Sequence, residues 1–155
     1  MSETLLIDPT GAWSPVTRKP TLLAIGGLMA YSKTLTRFGL ILNVAWELDK
    51  ARMGPKTACG MPVLFARLDD TEDAHIIKRQ TPEVLRSVAL VREARAAGKD
   101  VLVTCAQGRN RSGLVIAEYL ISSGLKADAV IKTIQERRAN ALTNRAFVAW
   151  LKRRR

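Results

Sequence analysis

Short apolar runs alternate with amphipathic stretches from residue 22 onward, and that alternation predicts the elements. Leu22 to Ile25 is an apolar run closed by Gly26-Gly27, which reads as a strand and a turn. Met29 to Phe38 reads as a short helix ended by Gly39. Leu40-Ile41-Leu42-Asn43-Val44 is nearly continuous in apolar residues, the pattern of a strand buried on both faces. Residues 49–61 carry Gly54, Pro55 and Gly60 among Lys50, Arg52 and Lys56, and read as a basic loop. Val63-Leu64-Phe65-Ala66 is another short strand, followed by the polar segment Asp69 to Asp73. A helix is predicted from Thr81 as N-cap, with Pro82 at its first position and Glu83 in its first turn. Val84, Leu85, Val88 and Val91 form its apolar stripe and Gly98 ends it. Val101-Leu102-Val103 is the next buried strand, and Leu114 to Ile121 a buried helix with Gly124 just past its end. Two amphipathic helices, near 127–138 and 144–152, close the chain. Thr143 is the predicted cap of the second, and Phe147, Trp150 and Leu151 its anchors.

Strands alternating with helices imply an α/β fold. The expected architecture is a single-domain sandwich over residues 1–155, with a central, largely parallel sheet flanked by helices. Residues 1–20, with Pro9, Gly11, Pro15 and Pro20, read as an irregular lead-in that Trp13 packs onto the domain.

Composition supports a packed core, since 47% of the 155 residues are hydrophobic and only 5% are aromatic. Aliphatic side chains must therefore do most of the packing, and a disordered tail is excluded. Two cysteines, Cys59 and Cys105, make no disulfide framework and point to a reducing, cytoplasmic setting. No signal peptide is evident and no apolar run is long enough to span a bilayer. The formal net charge of +11 draws anions, whether phosphorylated proteins, phosphoinositides or nucleic acid. Basic residues are scattered apart from Arg137-Arg138 and Lys152-Arg153-Arg154-Arg155, and no aromatic-basic interleaving appears. Nucleic acid is therefore the less favoured partner.

The chemistry concentrates in one segment, where Val101-Leu102-Val103-Thr104 runs into Cys105-Ala106-Gln107-Gly108-Arg109-Asn110 and then Arg111-Ser112-Gly113. A buried strand leads through a polar loop into a buried helix. In parallel sheets ligands bind at the carboxyl ends of strands, and loop amides with a helix N-terminus form a cradle for anions. Gly108 supplies backbone freedom, and the planar fork of Arg111 suits two phosphate oxygens. Cys105 opens the cradle, where positive potential favours a thiolate, and a thiolate beside a bound phosphorus is a nucleophile with its target in place. The Ser112 hydroxyl is placed to bond the sulfur and ease its departure. No cluster has metal-ligand spacing, His75 is the only histidine, and no cofactor is called for.

The Cys-x5-Arg-Ser segment resembles the signature of the protein tyrosine phosphatase superfamily, and residues 22–152 resemble its small dual-specificity branch. Leu23-Ala24-Ile25-Gly26-Gly27 is similar to the family's first strand and glycine turn. Phe38 to Val44 is similar to the strand that follows, and Ala139 to Phe147 to the connection into the last helix. The resemblance implies a general acid on a loop before the cysteine. Asp69 and Asp70 lie 36 and 35 residues ahead of Cys105. Asp70 is preferred because Ile76 then falls where the family has an apolar residue. The same carboxylate, once ionised, would activate water in the second step. Thr104 stands where the family usually has histidine. The implied backbone phosphate ligands are Ala106, Gln107, Gly108, Arg109, Asn110 and Arg111.

The expected activity is phosphomonoester hydrolysis through a phosphocysteine, on phosphotyrosine or dual-specificity protein substrates. Phosphatases of RNA 5′ ends or phosphoinositides are the alternative that Arg109 and Asn110 raise. A weakly active phosphate-binding module is the alternative that Thr104 raises. Asn110 itself reads as a brace for the loop. Cys59 is read as an unpaired cysteine rather than a disulfide partner for Cys105. Arg138 is either a rim residue for a second anion or an exposed helix charge.

Overall fold

The computed structural model describes residues 3–7, 21–27, 37–48 and 62–154. Its strands are β1 (Glu3–Ile7), β2 (Leu22–Gly26), β3 (Leu40–Ala45), β4 (Leu64–Leu68) and β5 (Val101–Thr104). Its helices are α1 (Ala74–Ala96), α2 (Arg111–Ser122), α3 (Ala127–Arg137) and α4 (Arg145–Arg153), with a 3-10 turn at Trp46–Leu48. The sheet order is β1-β2-β5-β3-β4. β2, β5, β3 and β4 run parallel and β1 joins β2 antiparallel, so the sheet is five-stranded and largely parallel.

Period-2 alternation divides the core. Leu23, Ile25, Leu40, Leu42, Val44, Val101 and Val103 face the four helices in one large cluster. Ala24, Ile41 and Leu102 face the other way and pack with Phe38 and Val63. β5 is paired on both sides, and its last residue, Thr104, lies opposite Gly26 of β2 and Asn43 of β3. The carboxyl ends of three strands thus converge where the polar loop begins.

The structure moves several predicted boundaries. α1 starts at Ala74, well before Thr81. The Asp73 carboxylate accepts the amides of His75 at 2.8 Å and Ile76 at 3.4 Å, so Asp73 is the true cap. Thr-Pro-Glu has the composition of a helix start, yet Pro82 sits inside α1, where it forfeits one intrahelical bond. In the preceding turn Thr81 donates its hydroxyl to the Ile77 carbonyl at 3.0 Å. With the earlier start the buried stripe is Ile77, Val84, Val88 and Val91, and Leu85 is 39% exposed. Gly98 does end α1, at φ +75° with its amide on Arg95 O.

α4 is capped by Asn144, whose side-chain oxygen accepts Phe147 N at 3.0 Å, and not by Thr143. β4 runs to Leu68 and α2 begins at Arg111. The lead-in is not wholly irregular, because Glu3–Ile7 forms the edge strand β1. The predicted helix at Met29–Phe38 falls largely outside the described residues, as do Trp13, the basic loop 49–61 and Cys59. α1 also reaches the other sheet edge, where Arg86 donates to Phe65 O of β4 at 2.9 Å. Glu83 accepts Arg67 N at 3.4 Å and pairs with Arg86 at 2.6 Å.

Candidate active site

The polar loop extends the ladder by one bond, Cys105 N to Gly26 O at 3.2 Å, and then turns away from the sheet. Gly108 is required twice over. Its φ is +65°, and a Cβ there would meet the Gly26 backbone at 2.5 Å and an Arg138 nitrogen at 2.6 Å. Gly27 lies against the same loop, with Gln107 C at 3.0 Å from where its Cβ would be.

Arg138 fixes the back of the loop. Its Nε donates to Gly108 O at 2.5 Å and a terminal nitrogen to Gln107 O at 3.1 Å. Two successive carbonyls are thereby held on the side facing Arg138. Arg138 is 8% exposed, which corrects both expectations for it: it is neither a rim residue nor a solvated helix charge. Burial lowers its pKa, the neighbouring Cys105 opposes that, and Arg109 adds to the lowering. The corner after α3 wraps the same loop. Leu142, at φ +52°, donates its amide to Arg109 O at 3.3 Å and its side chain lies against Gly113.

Cys105 is 3% exposed, and its sulfur lies 3.3 Å from the buried Ser112 hydroxyl. Arg111 opens α2 and is held by two groups, the Glu47 carboxylate and the Leu68 carbonyl. Its terminal nitrogens donate to both carboxylate oxygens of Glu47 at 2.5 Å, and one also reaches Leu68 O at 3.2 Å. Its Nε is buried and has no hydrogen-bond partner among the described residues. Burial alone would lower the Arg111 pKa, but Glu47, Cys105 and Asp70 outweigh it and the net shift is upward. The guanidinium therefore stays charged at any working pH. Glu47 is brought there by buried Asn43, which folds the end of β3 into the 3-10 turn. Asn43 donates to Leu48 O at 2.7 Å and accepts Ala45 N at 2.9 Å. Glu47 was not expected from sequence. The signal that marks it is its place, a carboxylate just past the carboxyl end of a fully buried strand.

Asp70 faces this loop across the cavity. One carboxylate oxygen accepts the Asn110 amide at 3.0 Å and the other the Asn144 amide at 2.8 Å. Asn144 also donates to Thr71 O at 2.9 Å. Asp69 is turned elsewhere, with its backbone held by Gln80 through N at 2.9 Å and O at 3.2 Å. It lines a separate hollow with Arg67, Ile76 and Arg79. His75 is exposed on the first turn of α1 and takes no part. Thr104 is fully buried at the end of β5.

One cavity of about 270 Å³ gathers Glu47, Asp70, Cys105, Ala106, Gln107, Arg109, Asn110 and Arg111. A larger hollow of about 740 Å³, where α2 gives way to α3 beneath Lys152 and Arg154, contains none of these side chains. Among the described residues no group of three or more His, Cys, Asp or Glu is placed to hold a metal ion. No helix among them is long and apolar enough to cross a membrane.

The model of the dual specificity phosphatase catalytic domain matches residues 28–155. The fold is similar to human DUSP28, with a TM-score of 0.65 and 23% identity over 96% of this chain and 90% of that one. It is also similar to a mouse protein described as a dual specificity phosphatase complexed with zinc tungstate. There the TM-score is 0.62 and the identity 28%, over 84% of this chain and 79% of that one. The human tyrosine phosphatase-like serine/threonine/tyrosine-interacting protein gives a TM-score of 0.64 and 20% identity, over 84% and 88% of the two chains. No curated protein sequence matches the chain.

Proposed function

The chain belongs to the dual specificity phosphatase catalytic domain family and is a phosphatase, and we propose that it hydrolyses phosphomonoesters through a phosphocysteine formed on Cys105. The observation that carries this reading is a cavity whose wall holds Cys105, Arg111 and Asp70 together. The buried, unpartnered Nε of Arg111 supports it, since an unsatisfied buried donor costs about 1–3 kcal/mol and a bound oxyanion would satisfy it.

In the first step the Cys105 sulfur attacks phosphorus while the ester P–O bond breaks, and the departing oxygen takes a proton from Asp70. Arg111 and the amides of residues 106–111 hold the three other oxygens, whose charge grows in the transition state. In the second step Asp70, now ionised, takes a proton from water. The water oxygen bonds to phosphorus, the S–P bond breaks, and the sulfur leaves as a thiolate that Ser112 stabilises by hydrogen bonding. The product is inorganic phosphate. A nucleophilic thiol needs reducing surroundings, and we place the protein in the cytoplasm on that ground.

Phosphorylated proteins are the substrates this reading favours. Exposed Arg109 at the cavity mouth supports a second reading, in which RNA 5′ ends or phosphoinositides are hydrolysed. Phosphate release from phosphopeptides, triphosphate-ended RNA and inositol lipids separates the two. The mechanism is tested by acid quench of the protein during turnover of a labelled aryl phosphate. Wild type traps label on Cys105, and Cys105→Ser binds phosphate esters but traps none and releases none. Turnover without a trappable phosphoenzyme, or turnover by Cys105→Ser, excludes the phosphocysteine route. Binding without turnover in wild type makes the protein a phosphate-binding module instead.

A further inference from the structure

Asn110 occupies the N-cap of α2, where an asparagine ordinarily turns its side-chain oxygen back onto the helix's own first amides. Here it makes no such bond. Its oxygen accepts Thr143 N at 2.9 Å and Asn144 N at 3.1 Å, and its amide donates to Asp70 at 3.0 Å. The usual local use of the residue is thus given up. One consequence is that the first amides of α2 are not taken by a cap and stay available to an anion in the loop. The other is a bond from the phosphate loop to the carboxylate on the facing loop.

We infer that Asn110 is the positioning residue of the acid, fixing the Asp70 carboxyl at a set angle over Cys105; this rests on the reading of Cys105 and Asp70 proposed above. Asp70 is an exposed side chain in a short polar connection, and left alone it would sample several rotamers. The backbone of that connection has its own anchors, Gln80 on Asp69 and Asn144 on Thr71. Asn144 adds a bond to one oxygen of the Asp70 carboxylate, but it also serves as the cap of α4. Asn110 takes the other oxygen and is the only one of the three anchors that belongs to the cradle itself. It immediately precedes Arg111, so the guanidinium that holds phosphate and the amide that aims the acid share one stretch of backbone. The proton donor therefore keeps its register with the bound phosphate through covalent neighbours. Proton transfer is sensitive to small misplacement of the donor. Loss of the tie should thus weigh on reactions that need the proton and much less on those that do not.

The test compares kcat/KM for an aryl phosphate with a poor leaving group, phenyl phosphate, against one with a good leaving group, dinitrophenyl phosphate. Wild type, Asn110→Ala, Asp70→Asn and the double variant are measured together with inhibition by vanadate. Asn110→Ala should lower the poor-to-good ratio by about tenfold, in kcat rather than KM. In the Asp70→Asn background the same substitution should leave the ratio unchanged, because the group it aims is gone. If Asn110→Ala fails to fold, Asn110→Ser gives the same readout, since serine keeps a hydroxyl near Thr143 but lacks the amide arm directed at Asp70. Equal slowing of both substrates in the single variant, or an undiminished effect in the double variant, overturns the inference and leaves Asn110 a brace for the loop. If Asp70→Asn itself slows both substrates equally, it is the assignment of the acid that fails, and that outcome is read from Asp70→Asn alone.

Discussion

Arg111 is gripped by the carboxylate of Glu47, which comes from the end of another strand. The two-point contact leaves the guanidinium little freedom to rotate, so the direction of its remaining Nε edge is set by the fold. Glu47→Gln keeps the shape but only one acceptor. It should lower kcat/KM by about tenfold and weaken vanadate binding, with no change in the pH profile because Arg111 stays charged throughout. Steady-state kinetics with vanadate inhibition checks this, and unchanged affinity would mean that Leu68 O alone suffices to hold the side chain. The strand, loop and helix around Cys105 to Ser112 were legible in sequence because they form one contiguous stretch whose flanking elements are strongly apolar. Glu47, Asn144 and the buried role of Arg138 were not. Each reaches the loop from a distant part of the chain, and only the packing of β3 beside β5 and of α3 and α4 on α2 brings them to it.

Among the elements, α1 and α4 show how local signals compete. Asp73 and Thr81 both precede plausible helix starts, and Thr-Pro-Glu is the stronger pattern taken alone. With Asp73 as the cap Ile77 reaches the core, and the helix runs on through Pro82 at the loss of one intrahelical bond. At α4 the cap shifts by one residue, from Thr143 to Asn144, and that shift joins the helix to the Asp70-Thr71 loop. Asn144→Ala should lower unfolding stability by about 1 kcal/mol through the lost cap. Thr143→Ala should cost much less, since its hydroxyl contact with Asn110 is 3.4 Å long and exposed. Chemical denaturation of both variants tests the assignment, and a larger loss at Thr143 would return the cap to it. The sheet's largely parallel sense followed from the alternation of elements, whereas the strand order did not. β1 did not, because the prolines and glycine that follow it gave residues 1–20 the look of a lead-in throughout.

The molecule as a whole carries a net charge of +11, and its cavity mouth shows an exposed arginine. Long-range attraction should speed the encounter with anionic partners and should fade as salt shortens the screening length. We expect kcat/KM for an acidic phosphopeptide to fall about fivefold between about 0.05 and 0.5 M salt, and that for a small aryl phosphate to change less. Parallel titrations of the two substrates check this. Equal slopes would show that the field acts only on the phosphate and not on its carrier.

Among the described residues β4 is the outermost strand on its side of the sheet, and an outermost strand invites another chain to zip onto it. Arg86 and Glu83 occupy a carbonyl and an amide of that strand, filling hydrogen-bonding positions an incoming strand would need. Hydrogen bonding and charge from Arg86 keep the Glu83 carboxyl ionised below its ordinary range, so the seal outlasts mild acidification. A helix that packs the core therefore also guards the fold against polymerising edge to edge, and loosening two side chains on its solvent flank would expose a template for fibril growth.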